Sequence, residues 1–167
     1  MNIAKALSFL FPEAVPFKDY SVYWVDEKAQ IVNWNLPVDA PSDEELMAAS
    51  LAAIKQEKIA ELEACCSQVI SDKFEHDGLF YSNSMQSQSE FMATARAFDQ
   101  GLLTETKWTA YDKDGVLNRL TFDKDGFNSL FMASLSHISD NIAKLRDIKQ
   151  SAIVECGTEE EVEAIHW

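Results

Sequence analysis

Two acidic turns are the residues whose types and spacing come nearest to metal chemistry. Asp112-Lys113-Asp114-Gly115 and Asp123-Lys124-Asp125-Gly126 each open like a calcium loop. Such a loop needs oxygen ligands at its first, third and fifth positions, glycine at the sixth and a bidentate glutamate at the twelfth. Here the fifth position falls on Val116 or Phe127, and the sixth on Leu117 or Asn128. Both segments therefore read as turns, where Asp and Gly adopt conformations that a hairpin and a helix start require. Histidine offers no better start. His76 adjoins Asp77, His137 lies three residues from Asp140, and His166 sits near the end of the chain. Without an H-x-x-x-H or C-x-x-C spacing, no set of converging ligands can be assembled. His137 and Asp140 read as a surface pair or cap, and His76 as a residue near a helix C-terminus, where the dipole favours its charged form.

A cysteine nucleophile fares no better. Cys65 and Cys66 fall mid-helix near Glu61 and Glu63, an acidic setting that disfavours a thiolate. With Cys156 they make three cysteines and no disulfide framework, as expected of thiols in a reducing compartment. The chain contains no G-x-S-x-G, phosphate loop or dinucleotide fingerprint, and its five glycines leave little for a ligand-cradling loop. The expectation is a protein that is not an enzyme, with no catalytic, cofactor-binding or metal-ligating residues and no cofactor.

Composition narrows the partners. Apolar residues make up 47% of the 167-residue chain and charged ones 25%, enough apolar surface for a packed core. The net charge is −14, from 28 acids against 14 bases, and lysine and arginine do not cluster, so no nucleic acid is expected as partner. No run of apolar residues is long enough to span a bilayer, so no membrane is expected either. The apolar stretch Ile3 to Phe11 is broken by Pro12 and too short for a secretory leader, which predicts synthesis and retention in the cytoplasm.

The elements that carry these residues read as follows. Ile3, Leu7 and Leu10 share one face of a short helix that Pro12 ends. Tyr20 to Val25 and Ile31 to Asn35 are β-rich, and the polar Asp26-Glu27-Lys28 lies between them, so a hairpin is predicted. Its aromatics, Phe17, Tyr20, Tyr23, Trp24 and Trp34, form either a small core or a contact surface for a partner. After a Pro-rich break at 37–41, Ser42-Asp43-Glu44-Glu45 is a capping box that opens a helix to about Phe74, with Gly78 as its stop. Met47, Leu51, Ile54, Leu62, Cys65 and Val69 fall on one face of it, interrupted by Lys58, at an eleven-residue spacing that keeps the stripe nearly straight. That stripe serves packing within the chain or association between copies, and Leu51, Ile54 and Leu62 are its candidate contact residues. Beyond Gly78, Leu79-Phe80-Tyr81 reads as a short strand, and Ser87 to Glu90 as a second capping box opening a helix that Gly101 ends. Thr106 to Tyr111 and Val116 to Phe122 make a second hairpin. A long helix follows over about 123–154, its buried side being Phe127, Leu130, Phe131, Leu135, Ile138, Ile142, Leu145 and Ile148. Thr158 to Glu161 caps a last short helix ending near Trp167. The predicted class is α+β and mostly helical: a docking module over 1–36, a linker over 37–41, a long amphipathic helix over 42–77, and an α+β module over 78–167.

Two segments resemble known families. "IAKALSFLFPEAVPFKDYSVYWVDEKAQIVNWNLPVDAPSDEEL" is similar to the XkdW-like proteins of phage tail and baseplate loci. These open with a helix ending in "YP" or "FP", continue to a hairpin ending in "WN", and then show "P-T/S-x-E-E-L". The corresponding residues are Phe11-Pro12, Trp34-Asn35 and Pro41 to Leu46. The stretches "DGLFYSNSMQSQSEF", "TKWTAYDKDGVLNRLTFD" and "RDIKQSAIVECGTEEEVEAIHW" resemble a second phage domain of unassigned function, often encoded beside tail-fibre genes. Val162 stands where that domain usually has leucine. The resemblance implies a structural component of a bacteriophage tail that attaches or organises tail fibres at the baseplate. Its partners would be tail-fibre or baseplate proteins, and it would reside in the virion after synthesis in the host cytoplasm. The alternatives are a tail-fibre assembly chaperone absent from the virion, and a small cytoplasmic binding module unrelated to particles.

Overall fold

The computed structural model describes residues 2–25 and 28–167. Among the described residues helix accounts for 54% and strand for 21%, in two antiparallel sheets, so the expected α+β class holds. The chain forms two compact units, Met1–Leu62 with Lys149–His166, and Glu63–Ile148 with Trp167.

In the first unit, α1 (Ile3–Leu10) packs on a hairpin of β1 (Tyr20–Val25) and β2 (Lys28–Trp34) and on the N-terminal part of α2 (Asp43–Ser71). Asn2 caps α1 by accepting from the Lys5 amide at 3.1 Å, and the helix stops at Leu10, before Pro12. The core is Ile3, Ala6, Leu7, Tyr20, Leu46 and Ala49. The hairpin turn read at Asp26 and Glu27 lies outside the described residues. Val32 is the extra residue of a β-bulge, since Ser21 pairs with Asn33 and Val22 with Ile31.

The first capping box of α2 forms as expected: Ser42 N–H donates to Glu45 Oε2 at 2.7 Å, and Glu45 N–H to Ser42 Oγ at 3.3 Å. The buried face of α2 keeps Leu62 of the expected stripe but departs from it near the start of the helix. Leu46, Ala49, Ser50 and Ala53 turn inward, whereas Met47 is 60% exposed. Leu46 and Ala49 share a core with α1, and a polar tie fixes that register. The Asn2 amide donates to Ser50 Oγ at 3.1 Å, and the buried Ser50 hydroxyl donates to Glu159 Oε1 at 2.6 Å. Glu159 opens α6 (Glu159–Glu163), whose Thr158–Glu161 capping box is complete and whose Val162 is fully buried.

In the second unit, β3 (Lys73–His76), β4 (Leu79–Ser82), β5 (Thr106–Tyr111) and β6 (Leu117–Phe122) form one sheet in that order. Two helices, α3 (Met85–Asp99) and α4 (Lys124–Ala143), pack with it around Phe74, Tyr81, Phe91, Phe98, Ala110, Phe127 and Leu130. Inward residues alternate along the strands: 79 and 81, 108 and 110, 120 and 122. Phe91 stacks on Trp108 with ring centroids 4.4 Å apart.

Several boundaries depart from the sequence reading, β2 beginning at Lys28 and α6 ending at Glu163 among them. The segment 73–76 is a strand and not the end of α2. Asp77 and Gly78 both take positive φ (52° and 76°), the two-residue turn that joins twisted strands, so Gly78 turns a hairpin instead of stopping a helix. α2 is closed from a distance by Asn83, whose side-chain amide donates to Ile70 O at 2.7 Å and whose backbone N–H donates to Asp72 O at 2.8 Å. α3 begins earlier than read, because Ser84 is its N-cap, its Oγ accepting from the Ser87 amide at 3.2 Å. The helix expected over 123–154 is α4, a π-helical segment Lys144–Gln150, and α5 (Ser151–Glu155). The expected apolar side is kept in part: Phe127 and Leu130 are fully buried and Phe131 packs beside them, but Leu135 is 41% and Ile148 60% exposed, and Ser134 is buried at a hydrogen bond.

Candidate partner-binding surface

The surface starts from a tight turn ahead of β1. Asp19 accepts from the Val15 amide at 2.8 Å through its side chain, and Asn35 donates to Lys18 O at 2.8 Å. Phe17 N–H donates to Tyr20 O at 2.7 Å across this turn, and the residue is held at φ 66°. A bulky L-residue in the left-handed region is disfavoured by roughly 1–2 kcal/mol. The turn imposes that conformation on a ring that is 78% exposed. Backbone strain of this kind gathers where a side chain is presented for a purpose.

Trp24 is the second element. It pairs directly opposite Ala29, and both Ala29 and Val22 pack against the core, so Trp24 stands on the core-facing row of the hairpin. The row overruns the core, leaving Trp24 79% exposed beside a hollow of about 700 Å³ lined by Ile3, Ile31, Pro41 and Asp43 among others. Tyr23 points to the opposite face and is half exposed.

The other candidate residues are placed differently. Tyr20 is 3% exposed and belongs to the core, and Trp34 packs at its margin. Trp34 meets Phe11 edge-on with centroids 5.3 Å apart and donates through Nε1 to Val38 O at 2.6 Å. Leu62 is fully buried, and Leu51 and Ile54 are half-buried. Tyr20 and Leu62 are therefore enclosed by the chain itself and offer no side chain to a partner. The inner half of the aromatic cluster makes the core, and its outer half, Phe17, Tyr23 and Trp24, is exposed.

The acidic turns act as turns. Asp112 Oδ1 accepts from the Asp114 and Val116 amides at 2.9 and 2.8 Å, and Gly115 takes φ 79°. Asp123 caps α4, its Oδ1 accepting from Gly126 N–H at 2.8 Å. His76 lies on β3, with Nε2 3.5 Å from Asp77 Oδ2, so the helix-terminus argument made for it falls away. His137 Nε2 sits 3.0 Å from Val69 O, and Asn141 donates to His137 O at 2.7 Å. Cys66 is buried, its Sγ 3.5 Å from Asn141 O; burial pushes its thiol pKa up, against the opposing pull of Arg146 and Lys144. Among the described residues, no group of three His, Cys, Asp or Glu side chains is placed to hold a metal ion. No helix among them is long and apolar enough to cross a membrane.

Sequence comparison bears on both segments. Residues 3–58 match the family described as XkdW protein, and residues 53–166, more than half of the chain, match Domain of unknown function (DUF4376). The chain belongs to the DUF4376 family. The order, an XkdW module and then a domain of unknown function, is the one the motifs implied. XkdW is a phage-associated family, which makes this DUF4376 protein phage-related. No curated protein and no solved structure matches it. The XkdW segment contains α1, the hairpin and the start of α2, and hence the whole of the exposed aromatic surface. The DUF4376 segment contains the four-stranded sheet with its helices, and also α5 and α6, which fold with the first unit.

Proposed function

We propose that this protein is a non-enzymatic structural component of a bacteriophage tail, and that it attaches or organises tail fibres at the baseplate. The observation that carries the reading is the placement of Phe17, Tyr23 and Trp24. They lie on the surface of the segment that matches XkdW, in a turn and hairpin that hold them out of the core. Large rigid aromatics contribute contact area at little conformational cost and favour interfaces. The hairpin would dock a baseplate or fibre protein, and the DUF4376 segment would supply a second folded unit to the assembly. Partners are protein surfaces; nucleic acid and membrane are not among them, given the net charge of −14.

The test is quantitative mass spectrometry of purified particles of the phage that encodes the chain. Presence at a fixed ratio to fibre or baseplate proteins supports a structural component. Abundance in infected cells with absence from particles would replace that reading with an assembly chaperone.

A further inference from the structure

Apart from the hairpin, the first unit carries a groove that forms only where the XkdW and DUF4376 segments meet. Its floor is Met47, Ala48 and Leu51 on α2, and its wall is Thr158, Glu159 and Glu160 at the start of α6, enclosing about 320 Å³. Met47 is 60% exposed there, within α2. At one end, Lys55 is turned away onto Val154 O at 2.9 Å, so its ammonium is tied to backbone. At the other end, Glu44 lies one turn before Met47 and Ala48 on the same face. The floor is thus apolar and its rim acidic, with Glu44 and Glu160 both exposed.

We infer that this groove binds a basic segment of a partner protein, one that places an apolar side chain on Met47 and Leu51 with lysine or arginine on either side. Charge complementarity selects that occupant. A second copy of the chain would bring its own charge of −14 to an acidic rim, and like charges facing each other across an interface oppose association. An acidic or neutral segment would leave the rim carboxylates without partners. A basic segment lacking an apolar side chain would leave the floor in water.

The experiment uses the full chain with 13C-labelled methionine methyl groups, which separates Met47 from Met1, Met85, Met92 and Met132. The probe is a short synthetic peptide carrying two leucines flanked by lysine and arginine. The expected result is a selective shift of the Met47 signal that saturates with peptide and vanishes when serine replaces the leucines. Glu160→Lys should weaken binding about tenfold, while Glu105→Lys, an equal charge change on the other unit, should leave it within about twofold. Three results would overturn the inference: equal shifts at all methionines, equal weakening by both reversals, or a Met47 shift that follows chain concentration without peptide. The serine peptide keeps the test decisive should Glu160→Lys lose its fold.

Discussion

Ser134 Oγ donates to Asn83 Oδ1 at 2.7 Å between two side chains that are both buried and 51 residues apart in sequence. Asn83 spends its amide protons on Ile70 O at the end of α2, and its own carbonyl accepts from Gln88 at 2.9 Å. One side chain thus closes a helix, links it to the strand end after β4, and fixes the face of α4. Asn83→Ala leaves a buried carbonyl and a buried hydroxyl without partners, and should destabilise the second unit by about 3 kcal/mol. Ser134→Ala should cost about 1 kcal/mol, and the double variant less than the sum. Urea unfolding of the three variants measures this; additive losses would show that the two residues do not act together.

Ser50 plays the corresponding part in the first unit, where one buried hydroxyl accepts from Asn2 and donates to Glu159. Ser50→Ala removes both bonds without adding volume and should lower stability by about 1–2 kcal/mol. Ser50→Leu adds bulk at a fully buried position between Asn2 and Glu159 and should lower it further. Thermal melts of both variants decide it, and Ser50→Leu melting above Ser50→Ala would contradict the packing argument.

The two hairpin tryptophans should separate binding from folding. Trp34→Ala removes a ring packed on Phe11 and Tyr20 and should cost about 3 kcal/mol. Trp24→Ala removes an exposed ring and should change stability by no more than about 0.5 kcal/mol while weakening capture of the proposed fibre or baseplate partner. Co-purification beside a thermal melt reads both quantities.

Phe17→Asn supplies a residue that tolerates positive φ more readily. Stability should stay level or rise by about 1 kcal/mol, and partner capture should fall. A clear drop in melting temperature would mean that the ring contributes packing that its exposure does not reveal.

The capping box at the start of α2 is pH-dependent. The Ser42 amide and hydroxyl, hydrogen-bonded to the carboxylate, hold the Glu45 pKa below its ordinary value. A carboxyl whose folded pKa is depressed stabilises the fold above its unfolded pKa, and that contribution is lost as pH falls through the folded value. Glu45→Gln should therefore narrow the difference in melting temperature between neutral and acidic solution. An unchanged difference would remove Glu45 from the acid response.

Cysteine labelling gives a check on burial. At neutral pH, iodoacetamide should modify Cys65 and Cys156 before Cys66, which is buried and whose pKa lies above the ordinary thiol range. Peptide mapping after a timed pulse reads the order, and denaturant should equalise the three.

Sequence alone determined the features whose cause is local. The capping boxes at Ser42 and Thr158 depend on residues three positions apart, the stop at Pro12 on a ring, and the turn at Asp112 to Gly115 on one carboxylate and one glycine. The α+β class followed from the same signals, and the phage relation from motifs in residues 3–58. The end of α2 was not legible, because its closing hydrogen bonds come from Asn83, outside any local window. Nor was the buried face of the first half of α2, where Leu46, Ala49, Ser50 and Ala53 turn inward in place of Met47 because the core shared with α1 and the bonds of Ser50 to Asn2 and Glu159 lie on that side. Only tertiary packing divided the hairpin aromatics, drawing Tyr20 and Trp34 into the core and leaving Phe17 and Trp24 in water. A residue's type sets what its burial is worth, but the position of its neighbours decides whether burial happens.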